Sequence, residues 1–246
     1  MRRAISPLSS GPAANRAERA LVLDSRLGAR HGSFMQSRLN PAFLAPARAV
    51  RVIPVLTVDD AGRAVELARA LAAGGLGLIE ITLRTPGALA ALGAIARALP
   101  NVGVGAGTVR DPEQAKAAID AGARFIVSPG MTPRLVEAAE TWSVPFLPGA
   151  VTASEVMALA DLGYRFLKFF PAESSGGVGA VKALGAPLAD ITFCPTGGID
   201  ATKARTYLAL PNVACVGGSW VAPADAVAAG DWPAITALAR AARAGA

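Results

Sequence analysis

Histidine is nearly missing from this chain of 246 residues. The single one, His31, lies in the first 34 residues, so the body that follows has none. That excludes histidine general bases, Ser-His triads and histidine metal sites from the body. Cysteine is scarce too. Cys194 and Cys215 both sit inside apolar, strand-like runs, with no zinc spacing and no disulfide framework. They read as small reduced core residues in a cytosol-like, cytoplasmic compartment. No apolar run approaches the ~18 residues of a membrane span, so no membrane partner is expected. The chemistry left to the body rests on carboxylates, lysine, arginine, hydroxyls and backbone, with no cofactor and no metal.

Charge is unevenly placed. The formal net charge is +6. Residues 1–48 hold eight arginines against Glu18 and Asp24, which accounts for all of it. Removing those eight from 24 basic residues and those two from 18 acidic ones leaves sixteen of each sign. The pI of about 10.0 therefore says nothing about the body. The excess has no aromatic interleaving, so no nucleic-acid partner is expected. Residues 1–34 lack the apolar core of a secretory signal. Their Arg-rich composition is compatible with an organellar transit peptide, but a true start at Met35 is the plainer reading. We expect residues 1–34 to be poorly ordered and residues 35–246 to form one domain.

From Arg51 onward short apolar runs rich in Val, Ile and Phe alternate with longer Ala/Leu segments of helical spacing. Strand candidates occupy 51–58, 76–83, 102–109, 124–130, 145–151, 165–172, 191–199 and 213–221. Helix starts are signalled at Asp59-Asp60, Thr85-Pro86, Asp111-Pro112, Thr132-Pro133 and Thr152 through Glu155. Nearly unbroken apolar strands suit a parallel sheet covered on both sides. Eight such units in about 195 residues predict an α/β fold, a single-domain (β/α)8 TIM barrel. An open doubly wound sheet is the alternative, but no G-x-G-x-x-G opens the first helix.

A barrel changes how each residue is read, because side chains at the C-terminal strand ends face the active-site mouth. Alternation in the second candidate puts Leu78, Glu80, Thr82 and Arg84 on one face and Ile79, Ile81 and Leu83 on the other. The first set carries the charge and should point inward. In "YRFLKFFPAE", Tyr164–Glu173, the lysine is flanked by phenylalanines, and Phe166, Lys168 and Phe170 share a face. Glu80 and Lys168 are then expected to project together into the barrel.

Such a lysine has two readings. It is a structural ion pair with Glu80, or a nucleophilic amine. Burial disfavours an ammonium, and a neutral amine attacks carbonyls to give a Schiff base, an electron sink for carbon–carbon cleavage. Glu80 is likewise either a counter-ion or a general acid/base. Arg84 covers the strand end or grips a substrate carboxylate. Thr108 caps a helix or makes a second carboxylate contact. The glycine pairs in "PTGGI" (195–199) and "VGGSW" (216–220) fall where barrels place a phosphate site, with Ser219 adding a hydroxyl. "SSGG" (174–177) reads as a flexible turn beside the site, and Phe170 and Pro129 as its walls. Arg51, opening the first strand, is a further possible substrate contact.

The segments "GLGLIEITLR" (75–84) and "GYRFLKFFPAESSGG" (163–177) resemble the two signatures of the 2-keto-3-deoxy-6-phosphogluconate / 4-hydroxy-2-oxoglutarate aldolases. "VGAGTV", "SPGMT", "FCPTGGI" and "GGSW" match in order, so the likeness runs from about Arg51 to Arg243. The resemblance implies a class I aldolase built as a (β/α)8 homotrimer. By resemblance, Lys168 forms the Schiff base and Glu80 is the acid/base, while Arg84 and Thr108 hold the pyruvate end. Thr196, Gly197, Gly198, Gly218 and Ser219 hold the distal hydroxyls and phosphate. The implied ligands are a phosphorylated 2-keto-3-deoxy sugar acid and pyruvate. The threonine in "PTGG" is similar to the phosphogluconate-type enzyme. Ala150 in "PGAV" replaces a larger aliphatic. Two other functions fit the same residues: a non-catalytic phosphosugar-binding barrel, and a phosphosugar isomerase needing no imine.

Overall fold

The computed structural model describes residues 41–245, and the expectation for residues 1–34 lies outside the described residues. The described part begins with helix α1 (Pro41–Val50) and strand β1 (Val52–Leu56). It then alternates through α2 (Ala61–Ala73), β2 (Leu78–Thr82), α3 (Ala88–Ala98), β3 (Gly103–Gly107), α4 (Pro112–Asp120) and β4 (Ile126–Val127). The second half runs α5 (Pro133–Ala139), β5 (Phe146–Leu147), α6 (Ala153–Asp161), β6 (Phe166–Phe169), α7 (Gly177–Gly185), β7 (Thr192–Pro195), α8 (Ala201–Leu208) and β8 (Val216–Gly218). Helices α9 (Ala224–Ala229) and α10 (Trp232–Ala244) close it.

Each strand falls inside its sequence-predicted run, trimmed at the ends where the chain turns. All pairings are parallel. Six strands form one sheet in the order β5-β4-β3-β2-β1-β8, and β6 pairs with β7 separately. Isolated parallel bridges join the two groups on both sides: Gly149 to Lys168, and Phe193 to Val213 with Thr196 to Gly217. The expected fold class thus appears as an α/β fold with a curled parallel sheet of six strands and a flanking pair.

Local chemistry starts the helices. Asp60, Asp111 and Thr132 each accept a bond from the backbone N–H three residues on, and Thr152 and Glu155 form a reciprocal capping box. Thr85-Pro86 differs from its expected role. Helix α3 starts later, after Gly87, whose N–H donates to Asp59 Oδ1 at 2.6 Å, and the Thr85 hydroxyl donates to the Val58 carbonyl instead. The Thr-Pro pair therefore ties the strand end to the preceding loop.

Helix α1 lies across the N-terminal strand ends. Phe43 stacks on Phe125, just before β4, at 4.7 Å between ring centres, and lies 5.8 Å from Phe166, which opens β6. The opposite, C-terminal ends carry a cavity among the described residues.

Candidate active site

Two strands bring the central pair together. Glu80 is mid-β2, opposite Val55 on one side and Gly105 on the other. Lys168 lies in β6, opposite Cys194. Lys168 Nζ donates to Glu80 Oε1 at 3.1 Å across 88 residues of sequence, and both side chains are 5 % exposed. The Phe170 ring lies 5.2 Å from the ammonium, a cation–π contact on the side facing the mouth. Two-residue alternation along each strand, applied to a parallel sheet, is enough to place this pair.

Lys168 opens onto a cavity of about 230 Å³ at the C-terminal strand ends. Its wall includes Arg84, Phe170, Thr196, Gly197, Gly198, Gly218 and Ser219. Eight of the twelve residues singled out from sequence therefore converge on one space. Glu80 lies behind Lys168, and Thr108 behind Arg84, whose Nε donates to the Thr108 hydroxyl at 3.0 Å. Thr108 adopts φ 59°, a left-handed backbone that a β-branched residue rarely takes. Pro129 lies outside the cavity wall. Its carbonyl packs against Gly149, the residue bridged to Lys168.

Two expectations change. Arg51 sits at the N-terminal end of β1, away from the mouth, and its Nη2 donates to the Leu208 carbonyl at 3.3 Å. "SSGG", expected as a flexible turn beside the site, takes a more defined form: Glu173–Ser175 make a 3-10 turn that leads through Gly176 into α7.

Sequence reasoning missed several neighbours. Thr57 lines the cavity and shares a 3.0 Å hydrogen bond with Thr82, whose hydroxyl can also donate to the Leu56 carbonyl at 3.0 Å. Gly107 makes room for Glu80: a Cβ there would lie 2.0 Å from Oε1. "GVGAG" held that signal, since a strand with alternate glycines asks what fills the vacated face. Cys194 and Cys215 are buried, and their mutual hydrogen bond, with burial, pushes the Cys215 thiol well above its ordinary range. A protonated buried thiol is a poor nucleophile, so Cys215 does not compete with Lys168.

A larger concavity, about 740 Å³, lies at the N-terminal strand ends between Phe43, Trp142 and Phe146. It holds none of the paired groups above, so size does not locate the chemistry. Among the described residues no cluster of three or more His, Cys, Asp or Glu could hold a metal ion. What the smaller cavity can do is condense a carbonyl with Nζ, move a proton through Glu80, hold a carboxylate at Arg84 and receive an anion at the glycine-rich ends.

Comparison with known proteins points the same way. A family model described as KDPG and KHG aldolase matches residues 45–238. The 2-dehydro-3-deoxy-phosphogluconate aldolase of Pseudoalteromonas atlantica is 53% identical over 195 residues, 79% of this chain and 91% of that protein. The KHG/KDPG aldolase of Escherichia coli K12 is 49% identical over 189 residues, 77% and 89% of the two chains. Among solved structures, KDPG aldolase from Legionella pneumophila superposes with a TM-score of 0.79 at 43% identity, covering 80% of this chain and 96% of that one. It holds pyruvate captured at low pH as a covalent carbinolamine intermediate.

Proposed function

The chain belongs to the KDPG and KHG aldolase family, and from that premise we propose how its residues divide the work of a class I retro-aldol cleavage. The enzyme is a carbon–carbon lyase that splits 2-keto-3-deoxy-6-phosphogluconate to pyruvate and glyceraldehyde 3-phosphate. Lys168 Nζ attacks the C2 carbonyl, and the carbinolamine loses water to give an imine. Glu80, 3.1 Å from Nζ, moves the protons of that dehydration. It then takes the C4 hydroxyl proton as the C3–C4 bond breaks. The bonding pair flows into the imine, leaving an enamine and releasing the aldehyde. Protonation at C3 and hydrolysis return pyruvate and the free amine.

The observation that carries this assignment is a lysine 5 % exposed, paired with one buried carboxylate, at the floor of a cavity at the strands' C-terminal ends. Arg84 and Thr108 hold the substrate carboxylate. Thr196, Gly197, Gly198, Gly218 and Ser219 hold the distal hydroxyls and phosphate, Phe170 walls the cavity, and Pro129 supports it from behind. We also infer that the strands close into a (β/α)8 barrel, for which the bridges on both sides of the β6–β7 pair are the support. A homotrimer in the cytoplasm is the assembly and setting we infer from the family, and a sedimentation-equilibrium mass checks the trimer. Cleavage of 4-hydroxy-2-oxoglutarate to pyruvate and glyoxylate is a second activity, since it needs the same lysine and carboxylate but no phosphate contacts.

The test is chemical trapping. Incubated with pyruvate and borohydride, the enzyme should acquire one adduct, mapped to Lys168 by mass spectrometry, and Lys168→Ala none. An adduct elsewhere, or on no residue, overturns the assignment.

A further inference from the structure

Beside the cavity lies a polar cluster that the reaction steps above do not use. Glu173 opens the 3-10 turn after β6. Its Oε1 accepts from the Tyr207 hydroxyl at 2.7 Å and its Oε2 from Lys203 Nζ at 2.9 Å. Lys203 Nζ also donates to the Gly198 carbonyl at 3.1 Å. The Glu173 N–H donates to the Gly197 carbonyl at 3.1 Å. Two successive carbonyls of the glycine turn are thereby held from one side. A trans peptide points its C=O and N–H in opposite directions. Fixing the carbonyls of Gly197 and Gly198 therefore aims the N–H groups of Gly198 and Ile199 the other way, and both residues line the cavity. Neither N–H has an acceptor among the described residues. Nor does helix α8 offer its own first N–H groups to an anion, because Asp200 Oδ1 accepts from Thr202 and Lys203.

We propose that Glu173, Lys203 and Tyr207 form a positioning clamp that aims the Gly198 and Ile199 N–H groups at the substrate's distal phosphate, setting the preference for phosphorylated over unphosphorylated 2-oxo acids. It rests on the reading that the glycine-rich strand ends hold that phosphate. Successive backbone N–H groups in a left-handed turn make an anion-binding nest, and Gly197 and Gly198 have φ 107° and 76°. The space beneath is filled by Glu173: a Cβ on Gly198 would lie 2.8 Å from its Cγ. The Lys203 and Tyr207 bonds hold the Glu173 carboxyl below its usual range, and burial first, then Glu173, pushes the Tyr207 phenol up. At neutral pH the clamp is thus a carboxylate between two donors.

The experiment compares steady-state kinetics on 2-keto-3-deoxy-6-phosphogluconate and on 4-hydroxy-2-oxoglutarate, which carries no phosphate. Lys203→Met and Glu173→Gln should each raise KM for the phosphorylated substrate about tenfold, the effect of one charge-assisted hydrogen bond. Their kcat/KM for 4-hydroxy-2-oxoglutarate should hold, and Lys203→Arg should recover the wild-type KM. Tyr207→Phe, conservative in shape, should show the same split. A parallel loss on both substrates, or no change on either, overturns the clamp. Ser219→Ala separates the premise from the proposal. If it weakens only the phosphorylated substrate while Glu173→Gln does not, the clamp fails and the phosphate reading stands. If Ser219→Ala shows no selectivity either, the phosphate reading fails and the clamp with it.

Discussion

At the scale of single residues, the site depends on two positions where the backbone yields to a side chain. Gly107 is one. Its missing Cβ is the space that Glu80 Oε1 occupies, at 2.0 Å from where that atom would sit. Gly107→Ala is therefore expected to push the carboxylate away from Lys168 Nζ. Turnover should fall about 10²-fold, within the contribution of a positioned acid/base, while borohydride trapping of pyruvate on Lys168 persists at a reduced rate. Thr108 is the other. Its φ of 59° costs about 1–3 kcal/mol in a β-branched residue, yet it puts the hydroxyl 3.0 Å from Arg84 Nε. Thr108→Gly should relieve that strain and leave Tm unchanged or higher, while KM rises about tenfold for loss of a contact to a charged group. Thr108→Ser should keep KM near wild type, as kinetics and a thermal melt would show.

At the scale of elements, what was legible in the sequence follows from how local the cause is. Period-two alternation put Glu80 inward, and the same count put Lys168 inward, because a strand's facing is set within a few residues. Caps were legible at Asp60, Asp111, Thr132 and Thr152, where one side chain satisfies an N–H three residues on. Thr85-Pro86 misled because its partner, Val58, is 27 residues away. The Glu173–Lys203–Tyr207 cluster was missed for the same reason: Tyr207 is 34 residues from Glu173, and no spacing rule links them. The local elements make their own prediction. In the α6 capping box the Val151 N–H, with the N–H and hydroxyl of Thr152, bonds the Glu155 carboxylate and holds its pKa below the usual range. A depressed carboxyl stabilises the fold above its unfolded pKa and loses that stabilisation as pH falls through the folded value. Glu155→Gln should therefore lower Tm at pH 7, and the gap to wild type should close as pH drops below about 4.5, the ordinary value of a glutamate carboxyl. Thermal melts between pH 7 and pH 3 check it, and a gap that widens on acidification contradicts it.

At the scale of the whole molecule, stability and chemistry occupy opposite ends of the strands. The catalytic end is polar: it carries the buried Glu80–Lys168 pair, the exposed Arg84 and the glycine turns. An isolated ion pair taken out of water adds little net stability, so this end cannot be what holds the fold. The N-terminal end is aromatic. There α1 lays Phe43, 5 % exposed, onto Phe125 and near Phe166, joining the openings of two strands that are not hydrogen-bonded neighbours. Removing that ring leaves a void beside Phe125 and Phe166. Phe43→Ala should cost about 3–5 kcal/mol, read as a lower midpoint in urea unfolding. The Glu80–Lys168 geometry does not touch Phe43, so the folded fraction at low temperature should retain wild-type kcat and trap pyruvate on Lys168 as before. If kcat fell in proportion to stability, the two ends would be coupled through the strands and the division would not hold.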